Sequence, residues 1–306
     1  MIKKILKIAG IIILSLIIIA FLLPVLFKGK IMKIAKKEIN KNINAKVDFK
    51  DVDISLFRHF PHVAVGLENL QVIGIGDFSK DTLISSKRID VAMNLMSLIG
   101  NSEMKIYSVS VDQPRIHTIV NKDGKANWDI TKPDTASSQA KGSDFKLSLE
   151  KYSINDAYIS YVDIPGNMSS EIYHLDHSGS GDFTSDLFTL KTKTSAESVS
   201  FTYANIPYLV NAKTSLNADI QVDNKNNKYT FKTDDIALND LKLSTEGYFQ
   251  FVNDSTYGID IKFNAPSTEF KTLLSLVPAI YNNDFAKIKT SGKAVFNGFV
   301  KGNTIL

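Results

Sequence analysis

The chain has 306 residues, enough for one large domain or two ordinary ones, and it contains no cysteine. Hydrophobic residues make up 44% and charged residues 22% of the chain, a balance typical of folded rather than disordered proteins. The lack of cysteine excludes disulfides, a thiol nucleophile and thiolate-held zinc, but it does not fix the compartment.

The formal net charge of +4 is unevenly distributed. Residues 1–27 carry a net charge of +3 and residues 28–46 one of +6, so the remaining residues sum to about −5. Basic charge next to an apolar segment favours anionic lipid headgroups, whereas a nucleic-acid-binding protein carries basic charge on its folded part. We therefore expect no nucleic-acid partner.

An uncharged apolar run of residues lies between Ile8 and Phe27, with Ser15 as its one hydroxyl side chain. About twenty helical residues span the ~30 Å hydrocarbon core of a bilayer. A cleaved signal peptide has an apolar region of about 7–15 residues and a small-residue cleavage site, which the sequence after Pro24 lacks. The run predicts an uncleaved single-pass anchor that includes Ile8, Leu16 and Phe27. Lysines nearly balance across it, so charge alone leaves the orientation open.

Two helices outside this run are predicted from spacing and capping. Residues 30–43 place apolar side chains at helical spacing with lysines between them, which predicts an amphipathic helix. That helix lies either on the bilayer surface or with one face against its own domain. The second helix is predicted to begin at a cap, Ser267 or Thr268, and to run to Val277. A shorter helical piece is predicted from Asn94 to Ile99.

The hydrophobic period elsewhere is two, as expected for strands with one buried and one solvated face. The alternating segments begin at Val47, Val52, Val63, Ile89, Phe145, Leu216 and Tyr257. Residues 223–228 are rich in Asn, Asp and Lys and predict a hairpin loop. Residues 133–144 lack a large apolar side chain and predict a flexible linker. We therefore predict a mainly β chain with few short helices.

Motifs for catalysis or metal binding are weak. The five histidines include two HxxH pairs, His59 with His62 and His174 with His177, but this spacing outside a helix is a poor metal signature. No phosphate-binding glycine motif and no GxSxG elbow occur in the sequence. Acid pairs such as Asp234 with Asp235 fall in loop-like sequence. We expect no catalytic residue, no metal and no cofactor, and hence a protein that is not an enzyme.

The order of several short segments is more informative than any single motif. A V-x-I-S-L-F strand leads to a proline within Val52–Pro61, D-x-P-x-I follows at Asp112–Ile116, and D-G-x-x-N-W at Asp123–Trp128. All three follow the lysine-rich exit of the apolar run. In this order the chain resembles the AsmA family of bacterial envelope proteins, in the form common in Bacteroidetes-like bacteria. The resemblance covers essentially the whole chain.

The resemblance implies an inner-membrane protein with one transmembrane helix and its bulk in the periplasm. The helix would be followed by a long, curved, groove-like antiparallel sheet. The expected divisions are a cytoplasmic tip and anchor (1–27), a β region with its leading amphipathic helix (28–132), the linker (133–144) and a continuing sheet (145–306). Because the sequence ends inside strand-like residues, we expect it to be the N-terminal part of a longer protein.

The implied function is support of outer-membrane assembly and integrity by phospholipid transport along the apolar groove, with other envelope proteins as further partners. The alternative is a periplasmic scaffold that regulates outer-membrane protein assembly or targeting without binding lipid. Candidates for the groove lining are the apolar members of alternating segments. They are Val65, Leu67, Val91, Met93, Leu216, Ile220, Ile259 and Ile261. The same pattern would also fill an ordinary sandwich core.

Overall fold

A computed structural model gives the fold of residues 28–29, 32–33, 36–37, 39–59, 62–94, 104–132, 145–146, 149–253, 256–274 and 291–305. The strands, in chain order, are β1 Lys46–Asp48, β2 Asp51–His59, β3 His62–Ile73, β4 Thr82–Met93, β5 Met104–Asp112, β6 Arg115–Val120, β7 Phe145–Lys146, β8 Lys151–Asp163, β9 Met168–Ser180, β10 Leu187–Tyr203, β11 Ile206–Asp223, β12 Lys228–Leu238, β13 Leu241–Asn253, β14 Thr256–Glu269 and β15 Lys293–Ile305. A short helix, α1, spans Phe270–Leu274, and Gly76–Phe78 forms a 3-10 turn. The prediction of a mainly β chain is confirmed.

All fifteen strands belong to one sheet. Its main order is β1-β3-β4-β5-β8-β9-β10-β11-β12-β13-β14-β15, with β2 on β3, β7 on β5, and β6 between β4 and β8. From β8 onward each strand pairs antiparallel with the next strand in the chain. The predicted hairpin loop at 223–228 is confirmed, since Asp223 pairs with Lys228 where β11 meets β12.

The prediction of a purely antiparallel sheet is wrong at one junction. Strands β5 and β6 pair with β8 in parallel, and β7 pairs with β5 in parallel. Parallel neighbours require a long connection, because the chain must return to the same end of the sheet. Residues 121–150 supply that connection, so the sheet consists of two antiparallel parts joined by one parallel seam.

The predicted start of the second helix is also wrong. Thr268 pairs with Ala294, and Glu269 with Lys293, so the proposed capping residues are the last residues of β14. The helix begins only at Phe270. Ladder hydrogen bonds to β15 hold this segment extended, and they outweigh the local capping preference. Residues 275–277 of the predicted helix lie outside the described residues.

Among the described residues, none of the helices is long and apolar enough to cross a membrane. The predicted anchor, with Ile8, Leu16 and Phe27, lies outside the described residues. The same holds for the linker at 133–144 and for residues 95–99 of the short helix predicted after Asn94.

The amphipathic segment is helical wherever residues 28–42 are described, and it packs against its own domain. Met32 and Ile43 contact a core formed by six buried residues, namely Ala45, Val47, Phe49, Val52, Val72 and Leu83. Asn40 joins the helix to β1, because its amide donates to the carbonyl of Val47 at 2.8 Å and accepts the Val47 N–H at 2.7 Å.

Lysines of this segment pair with acids of the sheet. The Lys28 ammonium lies 2.5 Å from a carboxylate oxygen of Asp51, and that of Lys36 lies 2.5 Å from one of Asp48. The hydrogen bond from Lys36 lowers the pKa of Asp48, and that from Lys28 lowers the pKa of Asp51. Part of the basic charge of residues 28–46 is therefore balanced within the domain.

Arg88 on β4 forms the largest ion-pair network of the described residues. Its guanidinium contacts carboxylate oxygens of Asp90 at 2.7 Å and of Asp53 and Glu68 at 3.0 Å. The side chains of Arg88 and Asp90 are only 18% and 10% exposed, so solvent would stabilise neither charge well if its partner were lost.

We expect Arg88→Ala to lower the free energy of unfolding by about 2 kcal/mol. The figure lies below that for a fully buried pair because Asp53 and Glu68 are 36% and 40% exposed and retain solvent screening. Urea unfolding followed by circular dichroism measures this loss. Lys125→Ala is the control, since its pair with Asp77 is mostly exposed and its loss should leave the midpoint unchanged. Equal midpoints for wild type and Arg88→Ala would contradict the prediction.

Candidate functional site

The strand register assembles a continuous apolar face, because residues opposite each other on paired strands point to the same side of a sheet. One row begins at Leu67 on β3, which pairs with Ile89, and Ile89 pairs with Val111 on β5. Val111 pairs with Ile154 on β8, and Ile154 with His177 on β9. The row therefore passes through the parallel seam without changing sides.

The same row continues into the second part of the sheet. His177 pairs with Thr194 on β10, and Thr194 with Leu216 on β11. Leu216 pairs with Ile236 on β12, and Ile236 with Leu243 on β13. Leu67 and Leu216 thus belong to one row that crosses strands from β3 to β13. We call the side of the sheet that carries this row the apolar face.

A second row extends the apolar face to the last strand. Ile220 on β11 pairs with Phe231, Phe231 with Gly247, Gly247 with Ile261, and Ile261 with Val300 on β15. The register places all eight predicted lining residues on this face. The pairs that place the others are Val65 with Val91, Val63 with Met93, and Phe249 with Ile259.

The apolar face packs against a compact core at its N-terminal end. Val65 and Leu67 pack against the N-terminal core, and Met93 is 8% exposed. Leu216, Ile220, Ile259 and Ile261 are each partly buried, as are Val65 and Leu67, but they do not belong to that core. Because Leu and Ile in a closed core would lose nearly all contact with solvent, the sandwich-core interpretation does not fit Leu216 and Ile220, although Val222 and Leu241 of the later strands are buried.

Aromatic side chains add apolar surface near β15. The Phe249 ring lies 4.9 Å from that of Phe251 and 5.4 Å from that of Tyr257, and the rings of Phe263 and Phe296 are 5.7 Å apart. Phe251 and Phe296 are 44% and 38% exposed. Exposed contiguous apolar surface of this kind marks a binding surface in soluble proteins.

The opposite face of the same strands is polar and charged. Lys232 and Lys262 flank Glu246 at 3.6 and 3.9 Å, and Lys301 lies 2.8 Å from Asp260. These charged residues alternate along the chain with members of the apolar face, for example Asp260 between Ile259 and Ile261. The charged groups of these strands are therefore concentrated on one face of the sheet, although Phe299 is also exposed there.

A row of bulges crosses the sheet and preserves this separation of faces. Asp156 on β8, His174 on β9 and Asn211 on β11 have φ values of 50°, and Gln113 before β6 has one of 49°. An extra residue in one strand would put the following residues on the wrong face unless its neighbours shift as well. Because the pairing register of these neighbouring strands shifts at about the same distance along each strand, the apolar face continues on both sides of the row of bulges.

Polar contacts hold this row together. The Asp156 carboxylate lies 2.6 Å from Nδ1 of His174 and 3.4 Å from the Arg115 guanidinium, and it accepts a hydrogen bond from Gln113 at 3.1 Å. The contact with His174, followed by that with Arg115, lowers the pKa of Asp156. The Asp156 carboxylate thus links His174, Arg115 and Gln113 at the row of bulges.

The members of the two histidine pairs have different neighbours in the structure. His59 and His62 are paired in the backbone register of β2 and β3, and the His62 ring stacks on Tyr107 at 3.9 Å. His174 contacts Asp156, whereas His177 lies on the apolar face. Among the described residues, no group of three or more His, Asp or Glu side chains is placed to hold a metal ion.

Sequence reasoning missed one polar cluster on the apolar face. Nε2 of His177 lies 3.0 Å from the Tyr152 hydroxyl, and its Nδ1 lies 2.8 Å from the Thr194 hydroxyl. Burial lowers the pKa of His177 and raises that of Tyr152. The alternation of Leu175, His177 and Gly179 was a signal that could have placed this imidazole on the apolar face.

Comparison with known protein families agrees with this geometry. A model of the AsmA family matches residues 2–294, nearly the whole chain. The chain belongs to the AsmA family. No curated protein matches the sequence. The predicted family is thus confirmed, while the narrower grouping with Bacteroidetes-like members stays a prediction.

We expect two valines of this AsmA-family sheet, Val63 on β3 and Val199 on β10, to differ in their contribution to stability. Val63 is 1% exposed, whereas Val199 is partly exposed on the same face of the sheet. Val63→Ala should cost about 2 kcal/mol through lost burial and a cavity, and Val199→Ala less than about 1 kcal/mol. Urea unfolding of both variants checks the difference. Equal losses would mean that the later strands are sealed from solvent.

Proposed function

We propose that this AsmA-family protein transports phospholipid between the membranes of the bacterial envelope, along the apolar face, without catalysing a reaction. The observation that carries the proposal is that the apolar rows are continuous across the sheet and that their side chains are partly exposed. The rows through Leu216 and Ile220 cross many strands on one side of the sheet, and these side chains remain partly exposed.

Acyl chains fit such a surface for a simple physical reason. Each methylene group removed from water contributes about 0.8 kcal/mol to binding. The binding free energy of an acyl chain that lies along a row of Leu, Ile and Phe side chains therefore becomes more favourable as the contact lengthens. The charged opposite face would keep the protein itself in water. Membership of the AsmA family and a large β-sheet fold are consistent with a lipid-transport or envelope role.

The proposed location is the inner membrane, with residues 8–27 as a single anchor and the sheet in the periplasm. From there the protein would support outer-membrane assembly and integrity. The packed N-terminal core lies at the anchor end of the sequence, so lipid would occupy the face beyond β4, where Leu216, Ile220 and Ile261 are partly exposed.

The direct test is lipid extraction and mass spectrometry of the full chain purified from bacterial membranes in detergent. We expect phospholipid at a fixed molar ratio in the wild type. The triple variant Leu216→Asp, Ile220→Asp and Ile261→Asp should lose most of it, because a carboxylate on the apolar face makes burial of an acyl chain unfavourable.

A matched triple variant controls for added charge and for detergent-associated lipid. Ser180→Asp, Gln221→Asp and Asn264→Asp lie on the opposite face and are exposed, so this variant should retain wild-type lipid. Circular dichroism shows whether each variant is folded. Equal lipid in both variants would refute the groove. A folded wild type without bound lipid would favour the scaffold that regulates outer-membrane protein assembly without binding lipid.

A further inference from the structure

The cluster of Tyr152, His177 and Thr194 is a polar group within an otherwise apolar row. Along that row, His177 and Thr194 lie between Ile154 and Leu216. An imidazole and two hydroxyls would lower the affinity of this surface for hydrocarbon, since each must keep a hydrogen bond when covered. Their position is therefore suited to the polar part of an amphipathic ligand.

Gly179 gives the tyrosine room to reach the histidine. The register pairs Gly179 with Tyr152, and a Cβ atom at this glycine would overlap the tyrosine ring. The ring therefore lies across the glycine, which is buried. From this position its hydroxyl comes within 3.0 Å of the imidazole, and the two rings are 5.4 Å apart.

A count of hydrogens shows what the cluster offers a ligand. With a neutral imidazole, the three side chains carry three polar hydrogens, and their two mutual hydrogen bonds use two of them. One hydroxyl hydrogen therefore remains for a ligand, on Thr194 or on Tyr152 according to the tautomer. A protonated imidazole donates to both hydroxyls, so both O–H groups become free and lie on either side of a positive charge.

On the two strands that flank His177, the described residues of the apolar face carry no charge that would pair with this cation. Toward His177 on the apolar face, β8 presents Tyr152 and Ile154, and β10 presents Thr192, Thr194 and Ala196. Of these five, Tyr152 alone is titratable. The nearby lysines, at 151, 191 and 193, alternate with these residues and belong to the opposite face.

We propose that Tyr152, His177 and Thr194 bind the phosphodiester group of an anionic lipid, with uptake of a proton by His177. This inference rests on the proposed function and names the chemical class of its ligand. Two hydroxyl donors and one imidazolium match the oxygens and the single negative charge of a phosphodiester, since hydrogen bonds to a charged acceptor are the stronger ones. The acyl chains of the same lipid would lie along the rows on either side.

The sign of the pH dependence follows from the imidazole. Burial holds the pKa of His177 below its usual value when the surface is empty. A bound phosphodiester would raise that pKa, because an adjacent anion favours the charged form. Between these two pKa values binding takes up a proton, so affinity rises as pH falls. One proton gives at most about a tenfold change per pH unit.

Binding of short-chain lipids to the full chain, measured by isothermal titration at pH 8 and pH 6, tests this site. The probes are dihexanoyl phosphatidylglycerol, dihexanoylglycerol without the phosphate, and dimethyl phosphate without the acyl chains. We expect the phosphatidylglycerol to bind about three- to tenfold more tightly at pH 6. The neutral lipid should show no such gain, and dimethyl phosphate should bind far more weakly than either lipid.

Four variants separate the cluster from general effects. His177→Gln should abolish the gain at pH 6, and Tyr152→Phe or Thr194→Val should reduce it by removing one donor. His174→Gln is the control, because this histidine of the same strand contacts Asp156 rather than the cluster. It should behave as the wild type.

The outcomes distinguish this inference from the proposed function. If both lipids bind with the same pH profile in the wild type and in His177→Gln, the phosphodiester site is refuted while lipid binding stands. If neither lipid binds a folded protein, the proposed function itself fails. If dimethyl phosphate binds as tightly as phosphatidylglycerol, the lipid is not the source of the phosphodiester.

Discussion

The architecture depends on the register of strand pairing. A sheet separates an apolar from a polar face only if every neighbouring pair of strands aligns residues of the same kind, and one unmatched insertion reverses all that follow. In this AsmA-family protein the alignment extends from Leu67 on β3 to Leu243 on β13. The alignment passes through a parallel seam and through a row of bulges, where the register of neighbouring strands shifts at about the same distance along each strand.

The two ends of the apolar face differ in what packs against them. The helical segment before β1 contributes Met32 to a compact core, and the first strands bury their valines there. Farther along, Ala196, Ala212, Ala218, Val222 and Leu241 are buried, whereas Leu216, Ile220, Ile259 and Ile261 remain partly exposed. The same alternating pattern therefore makes a protein core near the amphipathic segment and a solvent-accessible surface beyond it, according to what covers it.

The sequence was sufficient for the fold class, the family and the faces of the strands. All eight predicted lining residues lie on one side of the sheet because a period of two is a direct property of the extended chain. The sequence could not show which positions pack against the N-terminal core, since Val65 does so and Leu216 does not, although both occupy equivalent places in the pattern. Nor could it show that Thr268 would remain in a strand, because the partner that holds it, Ala294, is distant in sequence. The cluster around His177 was missed for the same reason, as its three members come from three strands.

The connectivity after the seam has a consequence for how such a protein can change in evolution. From β8 to β15 each strand follows its spatial neighbour, so the chain grows along the sheet by repeated reversal. Insertion or loss of two adjacent strands would therefore leave every other strand with the same direction and with the same residues on the apolar face. The reach of the surface can thus vary in steps of one hairpin, about 10 Å of sheet width, without redesign of the fold.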